Sequence, residues 1–296
     1  MELWVPITIA AAFAQNVRSA LQRKLTDRLS SSEAAYVRFC YALPFAVVYL
    51  AGLGALGYTI PGPNVAFFGY AAVGGIGQIL GTIALIASFG YRNFAVGTAF
   101  SKTETVQTAL FGFLLLGESV APLAGLGIGV CLAGVVVLSS PDGLRSFAKL
   151  GVGPGGWLGI AAGAGFGISA VCYRAACLSL PEGEAAIRAS LTLVAATAIQ
   201  TLAMGGYFAW RERGALSRVA RSWRTSAWVG LFGMMASSAW FTAMTLERAA
   251  YVRAVGQIEL LFSFVATVLF FREKVRVSEV MGSVIIVLGL VLVLAR

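Results

Sequence analysis

The chain alternates long apolar runs with short polar connections, and this spacing predicts transmembrane helices. A helix that crosses the hydrocarbon core of a bilayer needs about 20 mostly apolar residues. Ten stretches of the 296-residue sequence meet that length, and they lie at 3–22, 33–56, 66–89, 94–116, 120–139, 156–179, 184–209, 225–246, 249–271 and 277–295. Gly and Pro mark the connections, as in "YTIPGPN" (58–64) and "SLPEG" (179–183). The pattern predicts an all-α integral membrane protein with ten transmembrane helices.

The distribution of Lys and Arg orients these spans. Alternate connections carry 14 Lys and Arg on one side of the membrane and 3 on the other. Short cytoplasmic connections of membrane proteins are enriched in Lys and Arg. We therefore expect both termini outside. The net charge of +9 lies in these connections, which argues against a nucleic-acid-binding face.

An internal repeat divides the chain. An offset of 155 residues aligns the second half with the first, without a gap, over two spans. The matching pairs are Glu104 with Glu259, Glu118 with Glu273, Gly127 with Gly282, and Gly134 with Gly289. Each repeat contains five spans, and because five is odd the second copy enters the membrane in the opposite sense. We predict a first five-helix repeat at 1–140, a cytoplasmic linker at 141–155 and an inverted second repeat at 156–296.

Short motifs then point to a family. "LLLGES" (114–119) and "LFFREK" (269–274) end the fourth span of each half, and with the five-plus-five arrangement they resemble the drug/metabolite transporter superfamily, EamA type. In the second motif Arg272 replaces the glycine. "SKTE" (101–104) and "GQIE" (256–259) are similar to amino-acid exporters of the aromatic, YddG-like type. The resemblance implies a central cavity surrounded by spans one to four and six to nine.

Glu104 and Glu259 are the most informative polar residues. Each lies about ten residues into its span, which places both near the bilayer midplane. A charge at this depth is expensive and usually functional, so these carboxylates are candidates for a substrate-ammonium or proton site; the alternative is a paired strut between helices. Lys102 lies about 200° around the helix from Glu104. It either extends toward cytoplasmic water or pairs with another helix.

Other polar and aromatic side chains interrupt the spans and extend this candidate site. The full set of candidate substrate-binding residues is Gln15, Asn16, Arg38, Tyr41, Gln78, Thr82, Ser101, Glu104, Tyr173, Trp240, Gln257 and Glu259. A single intramembrane Gln or Ser usually forms a hydrogen bond between helices. A cluster of such residues with Tyr and Trp on several helices indicates a pocket that is both polar and aromatic. Gly155, Gly159, Gly163 and Gly167 recur every four residues, a spacing that favours close helix packing over a hinge.

These features favour a secondary transporter of small metabolites over an enzyme. The chain has no His, no Walker motif, and aspartates only at positions 27 and 142, in connections. It therefore lacks the residues of intramembrane proteases and metal-dependent transferases, and we expect no catalytic residues, no metal and no cofactor. The resemblance favours export of amino acids, aromatic ones included, by alternating access. A carrier for nucleotide sugars or cationic drugs, a channel and a structural membrane protein remain alternatives.

The expected setting is a bacterial inner membrane. The 18 Arg against 4 Lys fit a GC-rich bacterial genome, and the start of the chain is interpreted as a retained first span. The expected partners are the lipid bilayer and a small-molecule substrate, with protons as a candidate coupling ion. No nucleic acid and no obligatory protein partner are expected.

Overall fold

The computed structural model describes residues 2–88, 94–139, 153–269 and 276–295, and all regular structure within these ranges is α-helical. Every predicted span has a helical counterpart there, which confirms the all-α class. The helices, numbered in chain order, are α1 Trp4–Leu25, α2 Ser31–Cys40, α3 Ala42–Ala55, α4 Val65–Ser88, α5 Phe94–Ser101, α6 Glu104–Leu116, α7 Pro122–Ser139, α8 Pro154–Ser179, α9 Ala185–Arg211, α10 Ala215–Arg221, α11 Trp223–Leu246, α12 Ala249–Gly256, α13 Ile258–Leu269 and α14 Val277–Leu294.

Length and composition make six of the described helical segments able to cross a membrane, and one of these segments comprises both α2 and α3. They are Ser31–Ala55, Val65–Ser88, Pro154–Ser179, Ala185–Arg211, Trp223–Leu246 and Val277–Leu294, and Pro122–Leu138 is a shorter apolar helix. Helix α1 has the length, but Gln15, Asn16 and Arg18 lower its hydropathy. Predicted spans four and nine are each divided into two helices, α5–α6 and α12–α13. The count of ten spans therefore stays a prediction.

The chain forms two compact units, and each draws on both predicted repeats. Unit one comprises Met1–Ile76 and Cys172–Glu247, and unit two comprises Gly77–Val171 and Arg248–Arg296. In unit one, α1 packs along α11, and α9 packs against α11 and α3. In unit two, α7 packs along α14, and α6 packs against α12.

Helices α7 and α14 meet through the glycines that the repeat had matched. A Cβ added to Gly127 would lie 2.8 Å from the carbonyl oxygen of Gly289, and one added to Gly134 would lie 2.9 Å from that of Gly282. The pairs cross, because the earlier glycine of α7 meets the later glycine of α14. The two helices therefore run antiparallel at backbone-contact distance, a packing that only residues without a side chain allow.

The outward face of α14 is apolar. Val280, Val284, Val287 and Val291 are exposed, whereas Ile286 on the opposite face is fully buried. A stripe of exposed aliphatic residues on a long apolar helix is the surface that a lipid environment accepts.

The short helix α10, between α9 and α11, is not among the predicted elements. Its seven residues, ALSRVAR, are too few to show a helical period. Most of the predicted linker (141–152) and most of the "LFFREK" motif (270–274) lie outside the described residues.

Candidate functional site

The candidate site in unit two is built on two helix breaks. Helix α5 ends at Ser101 and α6 begins at Glu104, while α12 ends at Gly256 and α13 begins at Ile258. The first break contains no proline or glycine. Instead, Ser101 Oγ donates to the carbonyl of Thr98 at 2.7 Å and Thr103 Oγ1 donates to that of Phe100 at 2.6 Å. Side-chain hydrogen bonds of this kind compete with the helix for its carbonyl groups, which favours a bend or a break.

Two ion pairs cross between the broken helices. Lys102 Nζ lies 2.5 Å from Glu259 Oε1, and Arg253 Nε lies 3.0 Å from Glu104 Oε1. The second contact is an ion pair without an aligned hydrogen bond between those two atoms. Each glutamate lies in the first turn of its helix, α6 or α13, where the helix dipole favours a negative charge. The four charges balance, so the group is neutral as a whole.

Hydrogen bonds between uncharged side chains surround this group. Gln257 Nε2 donates to Thr105 Oγ1 at 2.9 Å, and both side chains are buried. Gln107 Nε2 donates to Thr103 Oγ1 at 2.9 Å and to the carbonyl of Ile160 at 3.3 Å. The breaks of α5–α6 and α12–α13 are therefore tied to each other, and the first is tied to α8 as well.

The glycine stripe of α8 lies against the first break. A Cβ on Gly163 would be 2.9 Å from the Ser101 carbonyl oxygen and 3.0 Å from the Glu104 nitrogen, and one on Gly167 would be 3.2 Å from the Thr108 nitrogen. The prediction of close packing is confirmed at Gly159, Gly163 and Gly167.

The twelve predicted site residues divide equally between the units. Gln15, Asn16, Arg38, Tyr41, Tyr173 and Trp240 lie in unit one, and Gln78, Thr82, Ser101, Glu104, Gln257 and Glu259 lie in unit two. Within unit two, the structure brings Ser101, Glu104, Gln257 and Glu259 together at the breaks. Thr82 Oγ1 instead donates to the Gln78 carbonyl at 2.7 Å within its own helix.

Unit one brings α1, α2 and α11 together at a polar and aromatic cluster. Trp240 Nε1 donates to Gln15 Oε1 at 3.1 Å. A Cβ on Gly233, seven residues before Trp240, would lie 3.5 Å from both Arg18 Cδ and the carbonyl oxygen of Arg38. Asn16, next to Gln15, is half-buried.

The two predicted tyrosines of unit one contact different neighbours. Tyr41 OH donates to the carbonyl of Val219 in α10 at 3.3 Å. Tyr173 is buried, its ring centroid lies 4.3 Å from that of Phe241, and its OH accepts from Gln200 Nε2 at 3.2 Å. Gln200 also donates to the carbonyl of Gly75 at 3.3 Å, so Tyr173 belongs to a buried network that ties α4, α8 and α9 together.

Several important residues are absent from the predicted set. For Lys102 the sequence leaves two alternatives open, cytoplasmic water or another helix, and the structure shows the second, with Glu259 as the partner. Arg253 is one of the three basic residues counted on the outer side, but it lies inside α12 and pairs with Glu104. Its position four residues into predicted span nine was the available signal. Gln200 and Thr105 carry no signal that separates them from ordinary interhelical polar residues.

No group of three His, Cys, Asp or Glu side chains that could hold a metal occurs in the part of the chain that the structure describes. The contacts that the structure describes at the two breaks are ion pairs and hydrogen bonds.

Long apolar helices, exposed aliphatic faces and ion pairs between helices define a multi-pass membrane protein. The model of the EamA-like transporter family matches residues 2–140 and again residues 153–295. The chain belongs to the EamA-like transporter family, which confirms the resemblance at that level and makes it a membrane transporter rather than an enzyme.

Comparison with solved structures supports the fold. A structure described as "Crystal structure of protein" matches over 98% of this chain and 96% of its own, with a TM-score of 0.69 and 16% sequence identity. At that identity the match shows the fold alone. Among curated proteins, none matches the sequence.

Proposed function

We propose that this transporter is a secondary carrier that exports amino acids, aromatic ones favoured, by alternating access, as the YddG-like resemblance implied. The observation that carries the proposal is the crossed pair of salt bridges at two helix breaks of unit two. A broken helix has backbone groups outside the regular helical ladder and two segments that can reorient. In transporters, such breaks are where substrates and coupling ions bind.

The crossed glycine contacts of α7 and α14 also support the inverted repeat. Glu104 and Glu259 share the offset of 155 residues, and so do the glycine pairs of α7 and α14. Symmetry-related residues that meet crosswise on antiparallel helices are what a two-fold axis in the membrane plane produces. We propose ten spans with both termini outside, in a bacterial inner membrane. Epitope tags on the two termini test this orientation in spheroplasts, and a tag that is protected from protease added outside contradicts it.

The proposed role of the carboxylates is to exchange partners. The ammonium group of an amino acid carries the same charge as Lys102 and Arg253, so it can replace either cation beside Glu259 or Glu104. This exchange keeps the carboxylate paired with a cation, frees the displaced Lys or Arg side chain, and releases one of the ties between the two breaks. Substrate binding would in this way be coupled to a change in helix geometry. Protonation of a glutamate would release the same tie, which makes the proton a candidate coupling ion.

The carboxylate and side chain of the substrate need other partners. Gln15 and Trp240 offer hydrogen-bonding groups and an aromatic face, and Arg38 offers a guanidinium group. An aromatic ring or a cation stacked on Trp240 gains about 0.5–2 kcal/mol. We propose that these residues, together with Asn16, Tyr41 and the polar residues of unit two, contact the substrate during the transport cycle.

The experiment is counterflow in proteoliposomes. The purified chain is reconstituted, loaded with unlabelled phenylalanine, and tested for uptake of radiolabelled phenylalanine, tryptophan and alanine, with and without a pH gradient. A cationic dye and a nucleotide sugar complete the panel. Saturable, mutually competing uptake of the aromatic amino acids supports the proposal. Uptake of another compound class alone reassigns the substrate, non-saturable flux indicates a channel, and no flux with any compound contradicts a transport role.

Variants then separate the proposed role from the alternative, a structural strut. Glu104→Gln and Glu259→Gln keep the shape and remove the charge, and Glu182→Gln in an exposed connection is the matched control. We expect each site variant to lose at least about tenfold in transport rate while remaining folded, which corresponds to about 1.4 kcal/mol. If both transport normally, the carboxylates take no part in the cycle. If folded protein is lost instead, they are structural.

A further inference from the structure

The connection between α9 and α11 carries a concentrated positive charge. Arg211, Arg213, Arg221 and Arg224, which we call the basic surface, are all exposed, and Glu212 is the one acidic residue between positions 205 and 228. The helices on either side, Ala185–Arg211 and Trp223–Leu246, are both long and apolar enough to cross a membrane. The basic surface therefore lies where two membrane spans end.

Buried apolar residues attach the short helix α10 to the rest of unit one. Ala215 and Val219 are buried in a cluster with Leu25, Leu29 and Phe208. The exposed side of α10 thus belongs to a folded face of unit one and is not a loose loop.

A salt bridge fixes α10 as well. Arg218 lies 2.6 Å from the carboxylate of Glu33, whose side chain also closes the capping box at the start of α2. Arg218 is thereby engaged in a contact within the protein, and it is not counted in the basic surface. The four arginines of the basic surface project from the same connection, and no acidic residue is paired with them in the salt bridges that the structure describes.

Exposed tryptophans indicate how deep the basic surface lies in the membrane. Trp210, Trp223 and Trp228 are 78%, 58% and 56% exposed, and indoles at the ends of spans lie at the lipid headgroup level. The guanidinium of Arg211 lies 4.9 Å from the Trp210 ring centroid, and that of Arg224 lies 5.7 Å from the Trp223 centroid. These contacts hold two of the charges beside interfacial rings, at the depth of lipid phosphates.

The end of α1 adds to the same charge. Leu25 and Leu29 join the buried cluster beneath α10, and Arg23, Lys24 and Arg28 beside them are exposed, as is one acidic residue, Asp27. Clusters of four to eight Lys and Arg next to a span are typical of segments that bind anionic lipids.

We infer that the basic surface is a binding site for the phosphate headgroups of anionic phospholipids. Charge sign, interfacial depth and a rigid base under α10 all fit this partner. A zwitterionic phospholipid presents the same phosphate but carries a compensating ammonium, so it should bind more weakly. The inference does not depend on which substrate is transported.

The test counts lipids bound to the full-length protein. The chain is purified in dodecyl maltoside, delipidated, and titrated with phosphatidylglycerol or phosphatidylcholine of identical acyl chains, and bound lipid is measured by native mass spectrometry. We expect phosphatidylglycerol to bind about tenfold more tightly or better, since each basic residue near an anionic surface contributes about fivefold. The preference should shrink when the salt concentration rises from 0.05 to 0.5 M.

A combined Arg→Gln replacement of the four arginines should reduce the preference by about fivefold or more, and the preference that remains comes from Arg23, Lys24 and Arg28. The matched control is Arg→Lys at the same four positions, which keeps the charge and should keep the preference. Arg218 is left unchanged in both, so α10 stays attached to Glu33. Equal binding of the two lipids to the wild type, or an unchanged preference in the Gln variant, would overturn the inference.

Two further arms complete the test. Soluble glycerol phosphate at millimolar concentration should not displace phosphatidylglycerol, and displacement would show a site for soluble anions instead. If the Gln variant does not fold, as judged by its elution profile, the salt dependence of the wild type decides: binding that is insensitive to salt contradicts a headgroup site.

Discussion

Neutralising one member of the Lys102–Glu259 pair should destabilise the protein, and neutralising both should cost less than the sum. The side chains are 18% and 16% exposed, so the pair is neither fully buried nor a surface pair. Breaking a buried pair costs about 3–5 kcal/mol, whereas exposed pairs contribute about 0–1 kcal/mol. We therefore expect Lys102→Gln and Glu259→Gln each to lower the free energy of unfolding by about 2 kcal/mol.

The double variant separates the pair from its surroundings. Removing both charges leaves no unpaired ion, so the loss should be no larger than that of either single variant, and the coupling energy should be about 2 kcal/mol. The assay is unfolding of the purified protein in mixed micelles, followed by tryptophan fluorescence. Glu182→Gln, in an exposed connection, should stay within about 0.5 kcal/mol of the wild type.

Two results would refute this reasoning. Single variants as stable as the wild type would mean that the ion pair contributes nothing, and strictly additive losses would mean that each charge acts through other neighbours. Lys102 also lies within Coulombic range of Glu104 and Arg253, so a matching cycle on Glu104 and Arg253 tests whether the four charges act as one group.

Three shorter predictions follow from other contacts. Gly134→Ala should cost about 1–3 kcal/mol by overpacking against α14, whereas Gly129→Ala on the same helix, with no atom within 4 Å of the added Cβ, should be neutral in the same unfolding assay. Trp240→Phe removes the hydrogen bond to Gln15 and part of a buried ring, so the unfolding free energy should fall by about 1–3 kcal/mol. If that contact serves the substrate, the half-saturation concentration in counterflow should also rise about fivefold. Arg174→Gln removes donors to the carbonyls of Met244 and Glu247 at the end of α11, and hydrogen exchange of that end should accelerate; unchanged exchange would mean that this contact does not hold the helix end.

The sequence predicted the class of the protein because that information is local. Runs of about 20 apolar residues determine which segments can be lipid-exposed helices, and each run can be recognised without knowing its neighbours. The offset of 155 residues and the motif at 114–119 likewise needed only the order of residues, and they led to the correct family.

The tertiary structure decided how these helices bend and which residues meet. Nothing in the composition of span four marks a break at Lys102, because the break arises from Ser101 and Thr103 bonding to nearby carbonyls. The sequence also allowed Lys102 to extend toward water. In the structure it pairs with Glu259, which lies 157 positions away in the chain. A partner at that separation is set by how whole helices pack, and helical periodicity carries no information about it. The sequence by itself therefore determined the membrane helices, the repeat and the family, whereas the crossed ion pairs and the antiparallel glycine contacts exist only once distant segments have folded together.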